Sequence, residues 1–522
     1  MPRWIVVSGG VLSGLGKGVV SASIGKLISN YRVVPIKCDG YLNVDPGTMN
    51  PFEHGEVFVL DDGGEVDMDF GHYERFIGIS AKKDWNLTSG KVFLDIIKRE
   101  RNGEYLGKTV QIIPHVTDSI KNNWKSIAKS ERADVVIIEI GGTIGDIENL
   151  IFFEAARQLR LEEKYLIYVH VTYVPELEAV GEQKTKPTQQ SVTLLLQRGI
   201  QPDIIICRSK RKLSDKARSK IALFANLSKK CVISAPDVTN IYELPLIFKE
   251  QGIAEIISNK LDMDVWPDLD RWKALVKNLN NTNKKLKIAI CGKYTELHDS
   301  YISIKEALTH AGAALSVKPE LSFIDTSTCD LEEELRGFHG IIVPGGFGSR
   351  GAEGKVKAIS IARENNIPFL GLCFGFQLAV IEFARNVCGL AAANSTEIEP
   401  KCRHPVIFLL PNQRGIKKKG ATMRLGAQEI KIKPGTKAYK LTKSGSIKRR
   451  FRHRYEVNPK FVPLLESKGL VFSGTNQDGS VMQILELPSH RFFSATQFHP
   501  EFSSKLEQPE PFFSGFLRTC ME

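Results

Sequence analysis

The sequence predicts two doubly wound, mostly parallel α/β domains in tandem, and three observations carry that prediction. Short runs rich in Val and Ile recur along the chain, separated by helical stretches such as VVSASIGKLISN (19–30) and LIFFEAARQLR (150–160). The runs are continuously apolar rather than alternating, as expected when helices cover both faces of a sheet. The alternation stops at Leu261, where LDMDVWPDLDRWKALVKNLNNTNKK brings a Pro, an amphipathic helical piece and an Asn-rich tail. That composition marks a linker. The expected division is a first domain over 1–261, a linker over 262–284 and a second domain over 285–522.

Taken in order, RWIVVS (3–8), VVPIK (33–37), DVVIIEI (134–140), YLIYVHV (165–171), PDIIIC (202–207) and KCVISA (230–235) read as buried strands of the first domain. After the linker, KIAICGKY (287–294), the helix SYISIKEALTHAG (300–312), GIIVPGG (340–346) and IPFLGLC (367–373) restart the pattern. With 522 residues, 42% apolar and 25% charged, the chain can bury sizeable cores, which excludes collagen, coiled coil and whole-chain disorder. No apolar run approaches the ~18 residues of a membrane span, so no membrane partner is expected. The first residues read as a strand rather than a leader, which points to a cytoplasmic protein. Nine dispersed Cys without a C-x-x-C pair argue for reduced thiols and against a zinc ribbon.

The net charge of +12 is local. Between Arg414 and Lys460 there are 16 Lys or Arg and two acids, Glu429 and Glu456, so this stretch alone carries +14 and the remainder is slightly negative. A surface that coats nucleic acid is therefore the wrong picture, and no nucleic-acid partner is expected. The segment reads either as a solvated basic loop or hairpin, or as a site for an anionic ligand.

The strand Arg3–Ser8 runs into GGVLSGLGKG, which opens a helix. Glycines let backbone N–H groups turn around phosphate oxygens, the helix N-terminus adds positive potential, and Lys17 can reach β- and γ-phosphates. Gly18 stands where a standard phosphate loop has its metal-binding Ser or Thr, so a magnesium ion needs carboxylates from elsewhere. Asp69 in GGEVDMDFGHYERF is one candidate. Glu139, at the carboxyl end of a buried strand where open α/β sheets bind ligands, is the other. Away from the loop, either could be a helix cap or a surface acid. In TKPTQQSV (185–192), with Lys184 before it, Lys184, Lys186 and Gln189 suit a triphosphate and a base edge, although alone they could be an ordinary polar loop.

SGGVLSGLGKG, NVDPGTMNPFEHGEVFVLDDGGEVDMDFGHYERF, EIGGTIGDIE, KTKPTQQSV and QPDIIICRSKR together resemble the CTP synthase family over the entire first domain. The resemblance implies a P-loop, dethiobiotin-synthetase-like amidoligase that phosphorylates the C4 oxygen of UTP with ATP and replaces it with ammonia. It implies ATP binding by the loop Ser13, Gly14, Leu15, Gly16, Lys17, Gly18 and Val19, with Ser13 also near UTP. Asp69 and Glu139 would hold Mg2+, with no organic cofactor, and Asp69 would also lie beside the ATP phosphates. Lys37 would assist the transferred phosphate. Lys184, Thr185, Lys186, Pro187, Thr188, Gln189 and Lys220 would hold UTP, and Asp146, Ile147 and Glu148 the product CTP. Arg208, Asp237 and Val238 would lie on the adenine side. His54 and Val57 would line an ammonia tunnel, although His54 could equally be a core histidine. The family also implies GTP activation, CTP feedback and a homotetramer, with filaments in some members. The pattern departs at Gly40, where the family carries Pro, and around PDVTNIY at the adenine contact.

In the second domain, GLCFGFQ (371–377) follows a strand and precedes a helix, the pattern of a nucleophile elbow centred on Cys373. Small flanking residues, Gly371 and Gly375, permit the tight turn, and the helix N-terminus favours the thiolate. ATQFHPEF (495–502) supplies His499 and Glu501, which point the same way if that segment is extended. Glu501 would orient His499, and His499 would activate Cys373. The Gly-Gly turn in GIIVPGGFGSRG and the N–H after Cys373 would form an oxyanion hole. From about residue 285 onward this set resembles the class I glutamine amidotransferases. That resemblance implies ammonia production from glutamine, with Gly346, Phe374, Gly375, Phe376, Gln377, Glu397 and Arg454 binding the substrate. Arg424 lies in the part of this module that the family associates with GTP, so part of the basic segment, Lys417–Lys419 and Arg424, is expected to meet GTP phosphates. A cobyrinic acid diamide synthase-like amidase would share the two-module plan, but TKPTQ and DFGHYERF belong to the UTP enzyme. A non-enzymatic ATP-binding scaffold would have no need of Cys373, His499 and Glu501 together.

Overall fold

The apolar runs of the first half pair edge to edge into a seven-stranded sheet. Its strands are β1 (Arg3–Gly9), β2 (Val33–Asp39), β3 (Asn86–Thr88), β4 (Val135–Ile140), β5 (Leu166–Tyr173), β6 (Ile204–Ser209) and β7 (Val232–Pro236). The order is β7-β6-β5-β1-β4-β2-β3 and every pairing is parallel. All residues of β2 and β4 are buried, which is what a sheet covered on both faces demands. In register, Val7 and Lys37 both face Glu139 across β4, so the phosphate loop, Lys37 and Glu139 share the carboxyl end of the sheet. Helix α1 (Lys17–Leu27) follows β1, and α2 (Lys186–Gln197) follows β5.

This arrangement is seen in a computed structural model, which describes residues 1–49, 55–177, 181–292, 298–327, 330–346, 348–409 and 423–522. The chain divides into two units, Met1–Pro46 with His72–Lys273, and Gly47–Gly71 with Ala274–Glu522. The division departs from the contiguous domains 1–261 and 285–522. The segment Gly47–Gly71 groups with the second unit because its side chains find ion-pair partners there, which composition does not reveal.

The second unit is built on a nine-stranded sheet. Its strands are β8 (Lys285–Gly292), β9 (Lys318–Asp325), β10 (Gly340–Val343), β11 (Phe369–Leu372), β12 (Arg424–Ile432), β13 (Ser446–His453), β14 (Val471–Thr475), β15 (Met482–Glu486) and β16 (Phe493–Thr496). The order is β9-β8-β10-β11-β16-β15-β14-β12-β13. Five strands from β9 to β16 are parallel, and the sheet then continues antiparallel to β13, an extension the apolar runs did not separate. One face packs α4 (Phe374–Asn386) in a core with Phe369, Phe376 and Phe493. The other packs α3 (Ile302–Leu315) and the terminal helix Pro511–Cys520 around Phe451, Phe498 and Phe516. Among the described residues no helix is long and apolar enough to cross a membrane.

The expected linker is largely structured. Helix Asp270–Asn281 carries Trp272, which is fully buried, meets Phe76 tilted at 5.3 Å and Tyr242 edge to face at 5.5 Å, and donates to the Tyr242 carbonyl at 2.7 Å. Trp272→Ala removes a large buried ring and a satisfied N–H. It is expected to cost the first unit about 3–5 kcal/mol, read as a lower urea midpoint of that unit's unfolding.

Candidate active sites

The second unit's site begins with backbone strain. Cys373 directly follows β11 and caps α4 with φ 50 and ψ −96, a conformation L residues avoid. Its N–H donates to the Thr496 carbonyl at 2.7 Å, which ties the elbow to β16. The turn exists because its neighbours have no side chains. A Cβ on Gly375 would stand 2.1 Å from the Val343 carbonyl oxygen, and one on Gly371 2.9 Å from the Ala495 Cβ. A Cβ on Gly345 would stand 3.0 Å from His499 Cε1, so the Gly345–Gly346 turn can approach the nucleophile.

Beyond β16 the chain carries His499 and Glu501, with His499 Nδ1 2.7 Å from Glu501 Oε1. The segment is not extended, as the i, i+2 argument assumed. A 3-10 turn, Pro500–Ser503, folds the carboxylate back onto the ring. His499 stacks on Phe502 at 5.1 Å, and its Nε2 is buried with no hydrogen-bond partner. Burial pulls the His499 pKa down, but Glu501 and then the Cys373 sulfur outweigh it and raise the pKa to about 10. The ring is thus an imidazolium at neutral pH, a suitable partner for a thiolate. Cys373, His499, Glu501 and Gly346 line one cavity of about 110 Å3, together with Val57 and Arg452. Cys373 Sγ lies 3.6 Å from the Arg452 carbonyl oxygen and 3.8 Å from Gln497 Nε2.

Nearby, Glu397 accepts from the Gly348 N–H at 2.9 Å. The Tyr455 hydroxyl senses both Glu397 and Arg454: burial and the carboxylate raise its pKa, and the guanidinium lowers it. The groups expected to bind an amino acid's charged ends, Glu397 and Arg454, thus both act electrostatically on one phenol. Phe374, Gly375, Phe376 and Gln377 form the first turn of α4, and Gln377 donates to the Tyr455 carbonyl at 2.9 Å.

In the first unit the glycine loop meets the sheet closely. A Cβ on Gly10 would overlap Ser191 Oγ at 1.6 Å, and Gly14 and Gly16 adopt φ +72 and +82. Lys17 is buried and donates to the Gly142 carbonyl at 2.7 Å. Glu139 accepts from Lys37 Nζ at 3.0 Å and from the Tyr73 hydroxyl at 2.6 Å. Leu15, Gly16, Val19, Arg208, Asp237 and Val238 line a cavity of about 150 Å3, with Arg208 Nε 3.2 Å from Asp237 Oδ1. A separate cavity of about 320 Å3 gathers Lys184, Thr185, Lys186 and Lys220 with Arg211 and Lys216.

The family model described as "CTP synthase N-terminus" matches residues 3–263, and that described as "Glutamine amidotransferase class-I" matches residues 296–519. The chain is 54% identical to a CTP synthase of Thermococcus gammatolerans, covering 100% of this chain and 99% of that one. It is 53% identical to the CTP synthases of Pyrococcus abyssi and Archaeoglobus fulgidus, covering 100% of this chain and 98% of each relative. The chain belongs to the CTP synthase family.

Within a CTP synthase frame, the structure brings together the expected nucleophile set and the expected adenine-side set. It does so only in part for the UTP set. Thr188 and Gln189 turn to bonds inside the fold, with the Tyr173 carbonyl and with Thr185. Asp146, Ile147 and Glu148 sit apart from that basic cavity on the loop after β4, where Asp146 accepts from the Thr143 N–H. A Cβ on Gly40, the departure from the family pattern, would stand 2.5 Å from Asn149 Oδ1 and 2.8 Å from Glu148 Cβ. Gly18 and Pro187 lie in the first turns of α1 and α2. Ser13 is exposed at the crest of the loop. Asp69 is the first residue of helix Asp69–Ile77. His54 and Lys417–Lys419 lie outside the described residues. Arg424 is engaged by Glu456 at 2.9 Å and Gln428 at 2.6 Å rather than held out for an anion.

Sequence reasoning missed Gln497 and Phe502, although both lie in the ATQFHPEF motif. It also missed His170, which bridges Ser8 Oγ at 2.9 Å and Ser191 Oγ at 2.6 Å. Burial, and then Lys17, lower its pKa to about 3, so it is a neutral strut behind the loop. Its run YLIYVHV gave no signal beyond an apolar strand.

The raised His499 pKa has a stability consequence with a definite sign. The folded value, about 10, exceeds the ordinary 6.5, so the stabilisation is fully present below about pH 6.5 and is lost as pH rises towards 10. Urea titrations are expected to show the stability gap between the unmodified protein and Glu501→Gln largest near pH 6 and closing towards pH 10.

Proposed function

We propose that the chain makes CTP from UTP, ATP and glutamine, with each half-reaction placed in its own unit. The observation that carries this reading is a strained cysteine elbow backed by His499–Glu501 in the same chain as a lysine-bearing phosphate loop.

In the second unit the Cys373 thiolate attacks the side-chain amide carbon of glutamine. The N–H groups of Gly346 and Phe374 receive the oxyanion. His499, already protonated, gives its proton to the departing ammonia, and a thioester remains. Water, deprotonated by His499, then releases glutamate and restores the thiol. Arg454 pairs with the substrate α-carboxylate and Glu397 with its α-ammonium, while Gly346 and Phe374–Gln377 shape the pocket. Ammonia enters the cavity that Val57 shares with Cys373.

In the first unit the γ-phosphoryl group of ATP passes to the C4 oxygen of UTP, and ammonia then attacks C4 and expels phosphate. Lys17 and Lys37 neutralise charge on the transferred group. The cavity at Arg208, Asp237 and Val238 takes the adenine, and the basic cavity at Lys184, Lys186 and Lys220 takes the UTP triphosphate. The site suits magnesium, because Glu139 offers hard carboxylate oxygens at the strand end beside Lys37. Glu139 would hold the ion, which when bound supplies further neutralisation of the phosphates. Asp146, Ile147 and Glu148 would answer to CTP as feedback inhibitor, GTP would activate, and the working form would be a homotetramer.

Incubation with UTP, ATP and magnesium, plus glutamine or ammonium, is expected to yield CTP by chromatography. Cys373→Ala is expected to lose glutamine-dependent synthesis by at least about a thousandfold while keeping ammonia-dependent synthesis. Lys17→Ala is expected to lose both. Loss of both in folded Cys373→Ala would overturn the two-site reading.

A further inference from the structure

The hairpin Phe58–Val59/Glu65–Val66 lies inside the stretch matched by the CTP synthase N-terminus model, yet it belongs to the second unit. Three of its side chains each reach a residue that touches the nucleophile set. Asp61 pairs with Arg450 at 2.6 Å, and the Arg450 carbonyl accepts the His499 N–H at 2.8 Å. Glu65, almost fully buried, pairs with Arg452 at 2.8 Å, and the Arg452 carbonyl lies 3.6 Å from Cys373 Sγ. Phe58 meets Phe502 edge to face at 5.1 Å, and Phe502 stacks on His499 at 5.1 Å. Backbone contacts fix the hairpin against β12. The Ala427 N–H donates to the Asp61 carbonyl at 2.9 Å, and a Cβ on Gly426 would stand 2.7 Å from Gly63 N.

Resting on the glutaminase reading above, we infer that Asp61 and Glu65 are positioning residues for the glutaminase reaction: through Arg450 and Arg452 they set the height of β13 against Cys373 and His499. The physical requirement is tight. A nucleophile and its base must meet within hydrogen-bond reach, and a displacement of about 1 Å can cost about a hundredfold in rate. Both Arg side chains are largely buried, so the strand carries two cations that the hairpin acids hold in register. A segment whose sequence belongs to the synthetase family model thereby sets the geometry in which ammonia is released.

The test uses the full chain with Asp61→Asn and Glu65→Gln, singly and combined, isosteric changes that remove charge and keep volume. The combined variant is expected to lower kcat for glutamine hydrolysis about 10–100-fold, with KM for glutamine within about twofold. Carboxamidomethylation of Cys373 by iodoacetamide, followed by peptide mapping, is expected to slow in parallel. Ammonia-dependent CTP synthesis should stay within about twofold, which also reports that the protein is folded. Asp61→Glu, at a position 41% exposed, should keep the unmodified kcat. An unchanged kcat and alkylation rate in the combined variant overturns the inference, and so does a parallel loss of ammonia-dependent synthesis. If the unmodified protein makes no CTP from ammonia, the proposed function itself fails.

Discussion

The strained backbone of Cys373 is the constraint on which the second unit's chemistry depends. A non-glycine residue at φ 50 and ψ −96 costs of order 1–3 kcal/mol and persists only where its surroundings leave no alternative. Here three glycines remove every Cβ that would block the turn, and the Cys373 N–H is tied to Thr496 on the neighbouring strand. That bond extends the β11–β16 ladder by one step, and β16 leads directly into Gln497, His499 and Glu501. The ladder from Phe369–Phe493 to Leu372–Thr496 thus sets the strained thiol beside the strand that carries the base. His499 in turn is held by the Glu501 carboxylate and by the flat face of Phe502, so the imidazolium has little freedom to turn away.

The first unit solves a different problem, the storage of buried cations before their anions arrive. Lys17 is 7% exposed and Lys37 4%, and an ammonium out of water needs acceptors. Lys17 uses the Gly142 carbonyl and Lys37 uses Glu139. These are replaceable partners at the carboxyl end of a parallel sheet, where phosphate oxygens would offer stronger charge-assisted bonds. Behind them the neutral His170, bonded to Ser8 and Ser191, adds no charge that would repel Lys17. The loop is therefore cationic towards the ligand and neutral behind.

Much of this was legible from the residues. Continuous apolar runs marked most of the parallel strands, because a sheet covered on both faces leaves no room for alternation, but β3, β9 and β16, whose sequences NLT, KPELSFID and FSAT are not such runs, were not among them. The Cys373 elbow was legible because only small neighbours fit it. What escaped was what depends on contacts distant in sequence. Glu501 reaches His499 through a 3-10 turn, and nothing local distinguishes that turn from an extended segment. The hairpin at 58–66 reads as part of the first domain, since its allegiance is decided by Arg450 and Arg452 nearly four hundred residues away. Trp272 looked like linker until Phe76 and Tyr242 were seen around it.

The basic segment shows why a charge count along the chain cannot stand for a surface. Its arginines and lysines part company in space. Arg424, Arg449, Arg450 and Arg452 are each paired with a carboxylate, those of Glu456, Glu510, Asp61 and Glu65, and three of those four acids lie outside the segment. The lysines Lys431, Lys433, Lys440, Lys443, Lys448 and Lys460 are exposed. This is the division expected of the two cations. The planar guanidinium is less hydrated and suits partly buried pairing, whereas the compact ammonium keeps its water. These four arginines of β12 and β13 are therefore internal fasteners whose charge is matched by carboxylates of the fold, and among the described residues the six exposed lysines face an approaching anion. An anionic activator drawn to this face would be attracted by exposed ammonium groups, and the Arg424 guanidinium, held by Glu456 and Gln428, would act on it only by first giving up its pair with the buried Glu456 carboxylate, which would keep His453 as its partner.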